Sequence, residues 1–197
     1  MDQSIGHEEA LTRLVEGNRR FANSASYRRR VEEELRLQLS ERQRPFAVVL
    51  TCADSRVPPS LIFDYGLGEV FSIRIAGNIP SEAVIGSIEF AVKLLGPHLL
   101  VVMGHENCGA VQAAIDGERQ AHLYAITDLI QPAVSRGRAL DGDLLENCTK
   151  LHATMVAERL RLQGPLLSRA VQEGKLRIVP AYYRFATGVV EFLDGRA

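Results

Sequence analysis

The chain is expected to fold as an α/β domain. A mainly parallel sheet of four strands plus a C-terminal hairpin strand is flanked by helices and preceded by an N-terminal helical arm. Three observations predict this. Phe46–Leu50 and Leu99–Met103 are short continuous apolar runs, the make-up of strands covered on both faces. Between and after them lie segments with apolar residues at helical spacing, and strands alternating with helices build βαβ units. The 197 residues, 46% hydrophobic and 24% charged, are enough for one domain with a sizeable core.

In chain order, residues 8–24 place Leu11, Leu14, Val15 and Phe21 on one helical face. Residues 28–43 pair Arg28, Arg29 and Arg30 with Glu32, Glu33 and Glu34 four positions on, with Val31, Leu35 and Leu39 on the other face. The acidic partners make the arginine run a solvated helix face rather than an anion site. These two helices form the arm, residues 1–44, and the core occupies 45–197. Phe46–Leu50 is the first strand and Glu69–Ile75, which alternates more, the second. Ser81–Leu95 carries Val84, Ile85, Ile88, Val92 and Leu95 at helical spacing and stops at Gly96-Pro97. Leu99–Met103 is the third strand, and a helical tract runs from about Gly109 to Gln172 with breaks near Gly137 and Gly164. Leu176–Phe185 and Val189–Leu193 form a hairpin across Ala186-Thr187-Gly188. Pro180 lacks a backbone donor, so its strand is expected at an edge or with a bulge there.

Composition narrows the function. With 23 basic and 24 acidic side chains there is no basic excess of the kind nucleic-acid binding needs. No apolar run approaches the ~20 residues that span a bilayer. The N-terminus lacks the basic start and apolar stretch of a signal peptide. Three cysteines are too few for a disulfide framework and read as thiols of a reducing compartment, so the cytoplasm is expected.

The chemistry concentrates in Cys52-Ala53-Asp54-Ser55-Arg56 and His105-Glu106-Asn107-Cys108. Each follows an apolar strand by a single residue, and parallel sheets gather ligands at the carboxyl ends of their strands. If the two strands are neighbours, Cys52, His105 and Cys108 meet in one crevice. Two sulfurs and one imidazole suit tetrahedral zinc, and three protein ligands leave a fourth position open, as in catalytic sites. A disulfide between Cys52 and Cys108 ranks lower because the C-x-x-C spacing is absent. Cys148 could complete a closed four-ligand site, but its helical setting favours core packing. His7, His98, His122 and His152 show no partner pattern. In an extended segment Cys52, Asp54 and Arg56 would point the same way. Asp54 could then accept a proton from water beside the metal, with Arg56 keeping it ionised, or could itself fill the fourth position.

C-x-D-S-R followed by H-x-x-C-G resembles the β-class carbonic anhydrases. Ala76-Gly77-Asn78, Gly86 through Ala91 and Gly104 through Val111 extend the likeness over most of the chain. The resemblance implies a zinc lyase interconverting CO2 and bicarbonate, with Cys52, His105 and Cys108 as ligands and Asp54 with Arg56 as the dyad governing the fourth position. It further implies substrate contacts from Gln43, Phe71, Ala76 and Phe90. Gln43 matches a plant-like, open-site branch in which that glutamine comes from the neighbouring subunit, so a homodimer or homotetramer is expected. Phe90 stands where many members carry tyrosine. The chain has no tryptophan, which argues against the bicarbonate regulation known in one branch. A zinc protein with a filled fourth position, and a hydrolase of carbon disulfide or carbonyl sulfide, are the alternatives.

Overall fold

The computed structural model of the chain describes residues 5–27 and 32–195. Its helices are α1 (His7–Ala22), α2 (Glu33–Glu41), α3 (Pro59–Ile62), α4 (Glu82–Phe90), α5 (Gly109–Ile115), α6 (Tyr124–Gly137), α7 (Leu144–Arg161) and α8 (Gly164–Gln172). The strands are β1 (Ala47–Thr51), β2 (Val70–Arg74), β3 (Leu99–His105), β4 (Arg177–Tyr183) and β5 (Val190–Phe192). They form one sheet in the order β2-β1-β3-β4-β5. The first four run parallel, and β5 closes antiparallel on β4 as the expected hairpin.

Strand alternation divides the core between the two faces of the sheet. Ala47, Val49, Leu99, Val101 and Val179 pack with Leu11 and Leu14 of α1, Val111 of α5 and Ile130 and Val134 of α6. Val48, Leu50, Leu100, Val102 and Ile178 pack with Ile85 and Ile88 of α4, Val156 and Leu160 of α7 and Leu167 of α8. Every residue of β1 and β3 is therefore buried, which is why both read as unbroken apolar runs. The edge strand β2 is covered less and alternates.

Several expectations need correction. Val15 points to solvent, with Leu11 and Leu14 carrying the buried face of α1. The second helix begins only at Glu33, after an extended Glu32, and none of its residues is buried. Its Leu35 and Leu37 are exposed, and Leu39 alone turns inward, against Gly68. The pairs read over Arg28, Arg29 and Arg30, and the apolar position Val31, lie outside the described residues. The helix starting at Glu82 finishes as a π turn, Ala91–Leu95, and stops where Gly96 turns left-handed at φ 76°.

Pro180 lies on neither an edge strand nor a bulge: β4 sits between β3 and β5, and its register with β3 is continuous. The proline is tolerated because its carbonyl, which accepts from the Leu193 amide, faces the β5 side. Its missing N–H faces the same way, one position beyond the last paired residues, Ala181 and Phe192. No ladder bond to β3 is lost. No helix among the described residues is long and apolar enough to cross a membrane.

Candidate metal centre

β1 and β3 are adjacent and parallel, with Thr51 opposite Met103. That register brings their carboxyl ends level. Cys52 leaves β1 just after Thr51, His105 ends β3, and Cys108 occupies the N-cap position of α5. The strand β3 thus runs two residues past the expected Met103 and carries His105 on its last position. The Thr51 hydroxyl donates to the Met103 carbonyl at 2.9 Å, fastening the two strand ends. One ligand atom from each of Cys52, His105 and Cys108 falls within 4.8 Å of the others, and all three residues are buried.

His105 sets its own tautomer. Its Nδ1 lies 2.8 Å from the Glu106 carbonyl, which can only accept, so Nδ1 carries the proton. Nε2 is left as a lone pair, and it is a buried atom with no hydrogen-bond partner. A buried polar atom without a partner costs about 1–3 kcal/mol. The sulfurs present a matching problem. A hydrogen bond from the Cys108 thiol lowers the Cys52 pKa, while that same bond, together with burial, raises that of Cys108. One thiolate is favoured and a second is resisted unless a cation compensates it. Two soft sulfurs and an unpartnered imidazole nitrogen converging on one point fit zinc. Cys148 stays outside this group. It is fully buried, with its sulfur packed so closely on Gly137 that a Cβ there would come within 2.5 Å. All three cysteines are free thiols.

The segment after Cys52 is a turn, not the extended run expected. Asp54 Oδ1 accepts from the Arg56 backbone N–H at 2.9 Å and from its Nε at 3.0 Å, and Oδ2 accepts from Nη2 at 2.8 Å. The turn, rather than strand alternation, brings the pair together. Arg56 holds the Asp54 carboxyl well below the usual carboxylate range. Both oxygens face the guanidinium, and Asp54 is not among the residues converging on the candidate metal point. The Arg56 guanidinium in turn lies over the Phe185 ring, 4.3 Å from its centroid. That ring meets the His105 imidazole edge-on at 5.7 Å. The Phe185 amide donates to Glu106 Oε2 at 2.7 Å.

The other expected residues separate into two places. Ala76 lies at the site, preceding Gly77, whose amide donates to Cys52 Sγ at 3.3 Å. Phe71 and Phe90 pair with ring centroids 6.5 Å apart, but Phe71 packs against the opposite face of the sheet from Cys52. Gln43 lines an exposed cavity of about 670 Å³ with Leu39, Arg42, Leu67, Leu94 and Leu95, away from the three ligands of its own chain. Sequence reasoning missed Arg74, whose guanidinium donates to the carbonyls of Cys52, Ala53 and Asp54 and braces the turn. It also missed Phe185 and Glu106. Arg74 lies opposite Thr51, so only the register of β2 on β1 could have revealed it.

A carbonic anhydrase family model matches residues 47–190. The chain is 33% identical over 183 residues to a carbonic anhydrase of Mycolicibacterium smegmatis, covering 90% of this chain and 89% of that one. It is 35% identical over 180 residues to carbonic anhydrase 2 of Mycobacterium tuberculosis, covering 89% and 87%. Among solved structures, the β-carbonic anhydrase CcaA superposes with a TM-score of 0.74 at 27% identity, over 94% of this chain and 95% of that one. Two tetrameric β-carbonic anhydrases from Sordaria macrospora share the fold at a TM-score of 0.75 and 20% identity, over 94% and 98%.

Proposed function

The chain belongs to the β-carbonic anhydrase family, and from that premise we propose that it interconverts CO2 and bicarbonate using zinc held by Cys52, His105 and Cys108. The observation that carries the ligand assignment is the buried, unpartnered Nε2 of His105 beside two buried sulfurs. Zinc, when bound by three protein ligands, supplies a Lewis acid that makes water nucleophilic near neutral pH.

The chain's own residues do the rest. Asp54, ionised and aligned by Arg56, accepts a hydrogen bond from the attacking water and fixes its orientation. Arg56 keeps that carboxylate facing itself, which is the basis for placing the chain in the open-site, plant-like branch. Phe185, with Arg56 over its ring and its edge on His105, keeps the dyad and the ligand in fixed relation. Arg74 braces the turn that carries Asp54. Ala76 supplies a small apolar wall beside Cys52.

Gln43, Phe71 and Phe90 are proposed to act on a second copy of the chain. Gln43 shares its cavity with Leu67 and Leu94, and Leu67, Leu94 and Phe90 are all exposed. Packed on a partner, that patch would present an amide donor and two aromatic rings to the partner's substrate, the amide stabilising the charge that develops on oxygen. A homodimer, or a homotetramer of such pairs, follows, with residues 1–44 as the arm and 45–197 as the core of one domain. The reduced thiols suit the cytoplasm.

Stopped-flow CO2 hydration by the zinc-loaded protein, followed with a pH indicator, tests this reading. Hydration that rises from neutral to alkaline pH is expected. One zinc per chain with no hydration at any pH would overturn it in favour of a filled, non-catalytic site, and faster turnover of carbonyl sulfide or carbon disulfide would reassign the substrate.

A further inference from the structure

The third turn of α7 carries a histidine whose placement the active-site dyad and ligands do not explain. His152 is 2% exposed. Its Nε2 lies 2.8 Å from the carbonyl of Gly77, seventy-five residues earlier in the chain. The carbonyl can only accept, so Nε2 is protonated and donates. On its other side the same glycine donates its N–H to Cys52 Sγ. Gly77 is held in the left-handed region at φ 67°, in a space with no room for a side chain: a Cβ would approach Ile130 to 2.8 Å and Ala110 to 3.1 Å. One buried residue thus links α7 to a sulfur of the candidate metal centre through two consecutive hydrogen bonds. Burial lowers the His152 pKa to about 4, so through the neutral range it is a fixed N–H donor and not a titrating group.

We propose that His152 is a positioning residue for the metal centre: by gripping the Gly77 carbonyl it fixes the Gly77 N–H on the Cys52 sulfur and so limits the charge that sulfur donates to the metal. The physical reason is conformational. Gly77 has no side chain to restrain its two dihedrals, and a 3-10 turn of three residues, Ala76–Asn78, holds itself weakly. Without an anchor on its carbonyl, the amide would share its time between the sulfur and other directions. An N–H donated to a thiolate withdraws electron density from it, and outer contacts of this kind set ligand orientation and metal affinity. A leucine or methionine would fill the same space in α7 without supplying the donor.

The inference rests on the assignment of Cys52, His105 and Cys108 as ligands, and cobalt binding separates the two. Wild-type protein, His152→Met and His152→Gln are loaded with Co2+, and affinity is read by chelator competition together with the sulfur-to-cobalt charge-transfer band. If the wild type shows no such band, the ligand assignment fails. If it does, His152→Met is expected to move the band to longer wavelength, because Cys52 becomes the stronger donor. Affinity should weaken by about tenfold, the lower end of what outer contacts contribute. His152→Gln, whose amide nitrogen can reach the same carbonyl, should restore both. A His152→Met spectrum and affinity equal to wild type, or a Gln variant displaced as far as Met, would overturn the proposal. Should the Met variant fail to fold, wild-type protein loaded with cadmium-113 decides the matter by NMR. A scalar coupling between the metal and the Gly77 amide proton is expected through the N–H···S bond, and its absence would overturn the inference.

Discussion

At the scale of single residues, substitution separates the roles proposed for the three candidate metal ligands from those proposed for Asp54 and Arg56. Cys108→Ser replaces a soft sulfur by a hard hydroxyl in a fully buried position, so zinc affinity should fall by more than the roughly 10–100-fold typical of outer contacts. Equilibrium dialysis against a chelator reads this. Asp54→Asn leaves all three ligands in place and removes only the charged acceptor. Zinc content should stay at one per chain while kcat falls by about 100-fold or more, the usual size of a lost acid–base group; full activity in this variant would remove the dyad from the mechanism. His152 gives a pH signature of its own. Its folded pKa of about 4 lies below the unfolded 6.5, so between those values the unfolded chain binds the extra proton. Its stabilising contribution is complete above pH 6.5 and is lost as pH falls toward 4, amounting to about 3 kcal/mol. The urea midpoint of the wild type should therefore fall between pH 6.5 and 4 by more than that of His152→Gln, which takes up no proton there; equal falls in the two would show that His152 does not titrate between the folded and unfolded states.

Elements depend on close approaches that the residue pattern hides. Gly17 lies in the interior of α1, where alanine would ordinarily stabilise the helix by about 1 kcal/mol. Its Cα, however, abuts the backbone of Phe63, just after α3, and a Cβ would come within 1.9 Å of the Phe63 carbonyl oxygen. Backbone cannot rotate away as a side chain can, so overpacking of about 1–3 kcal/mol or more should prevail. Gly17→Ala is expected to lower the urea midpoint and to expose the α1 segment to protease, whereas a rise in midpoint would show that α1 packs more loosely than described. Elements with strong periodicity or continuous apolar character, α1, β1, β3, α4 and the terminal hairpin, were legible in the sequence to within a few residues. The four-residue α3 was not, since a helix of one turn has no period to read. Nor was the tolerance of Pro180, which depends on β5 ending one residue short of it.

For the whole molecule, the exposed patch formed by Leu67, Phe90 and Leu94 beside Gln43 is the proposed contact with a second copy. Leu94→Glu would bury an unpaired charge there, a cost of about 3–5 kcal/mol, and weaken self-association by more than about 100-fold. Sedimentation should then show a monomer that retains zinc but has lost most of its CO2 hydration, because Gln43 no longer reaches the partner's site. A variant that is monomeric and fully active would confine the whole active site to one chain.

The sequence by itself determined the α/β class, the alternation of strands and helices, and the three ligand candidates. Those rest on local signals: apolar runs, helical spacing, and two clusters of soft donors each placed one residue after a strand. Tertiary structure alone decided which of those candidates share a site. Strand order and register bring Cys52 to His105, a turn folds Asp54 back on Arg56, and a helix seventy-five residues away places His152 on the carbonyl of Gly77. The reason is physical. Periodicity reports which face of an element is buried, whereas a hydrogen bond between distant segments depends on distances that exist only after the layers have packed.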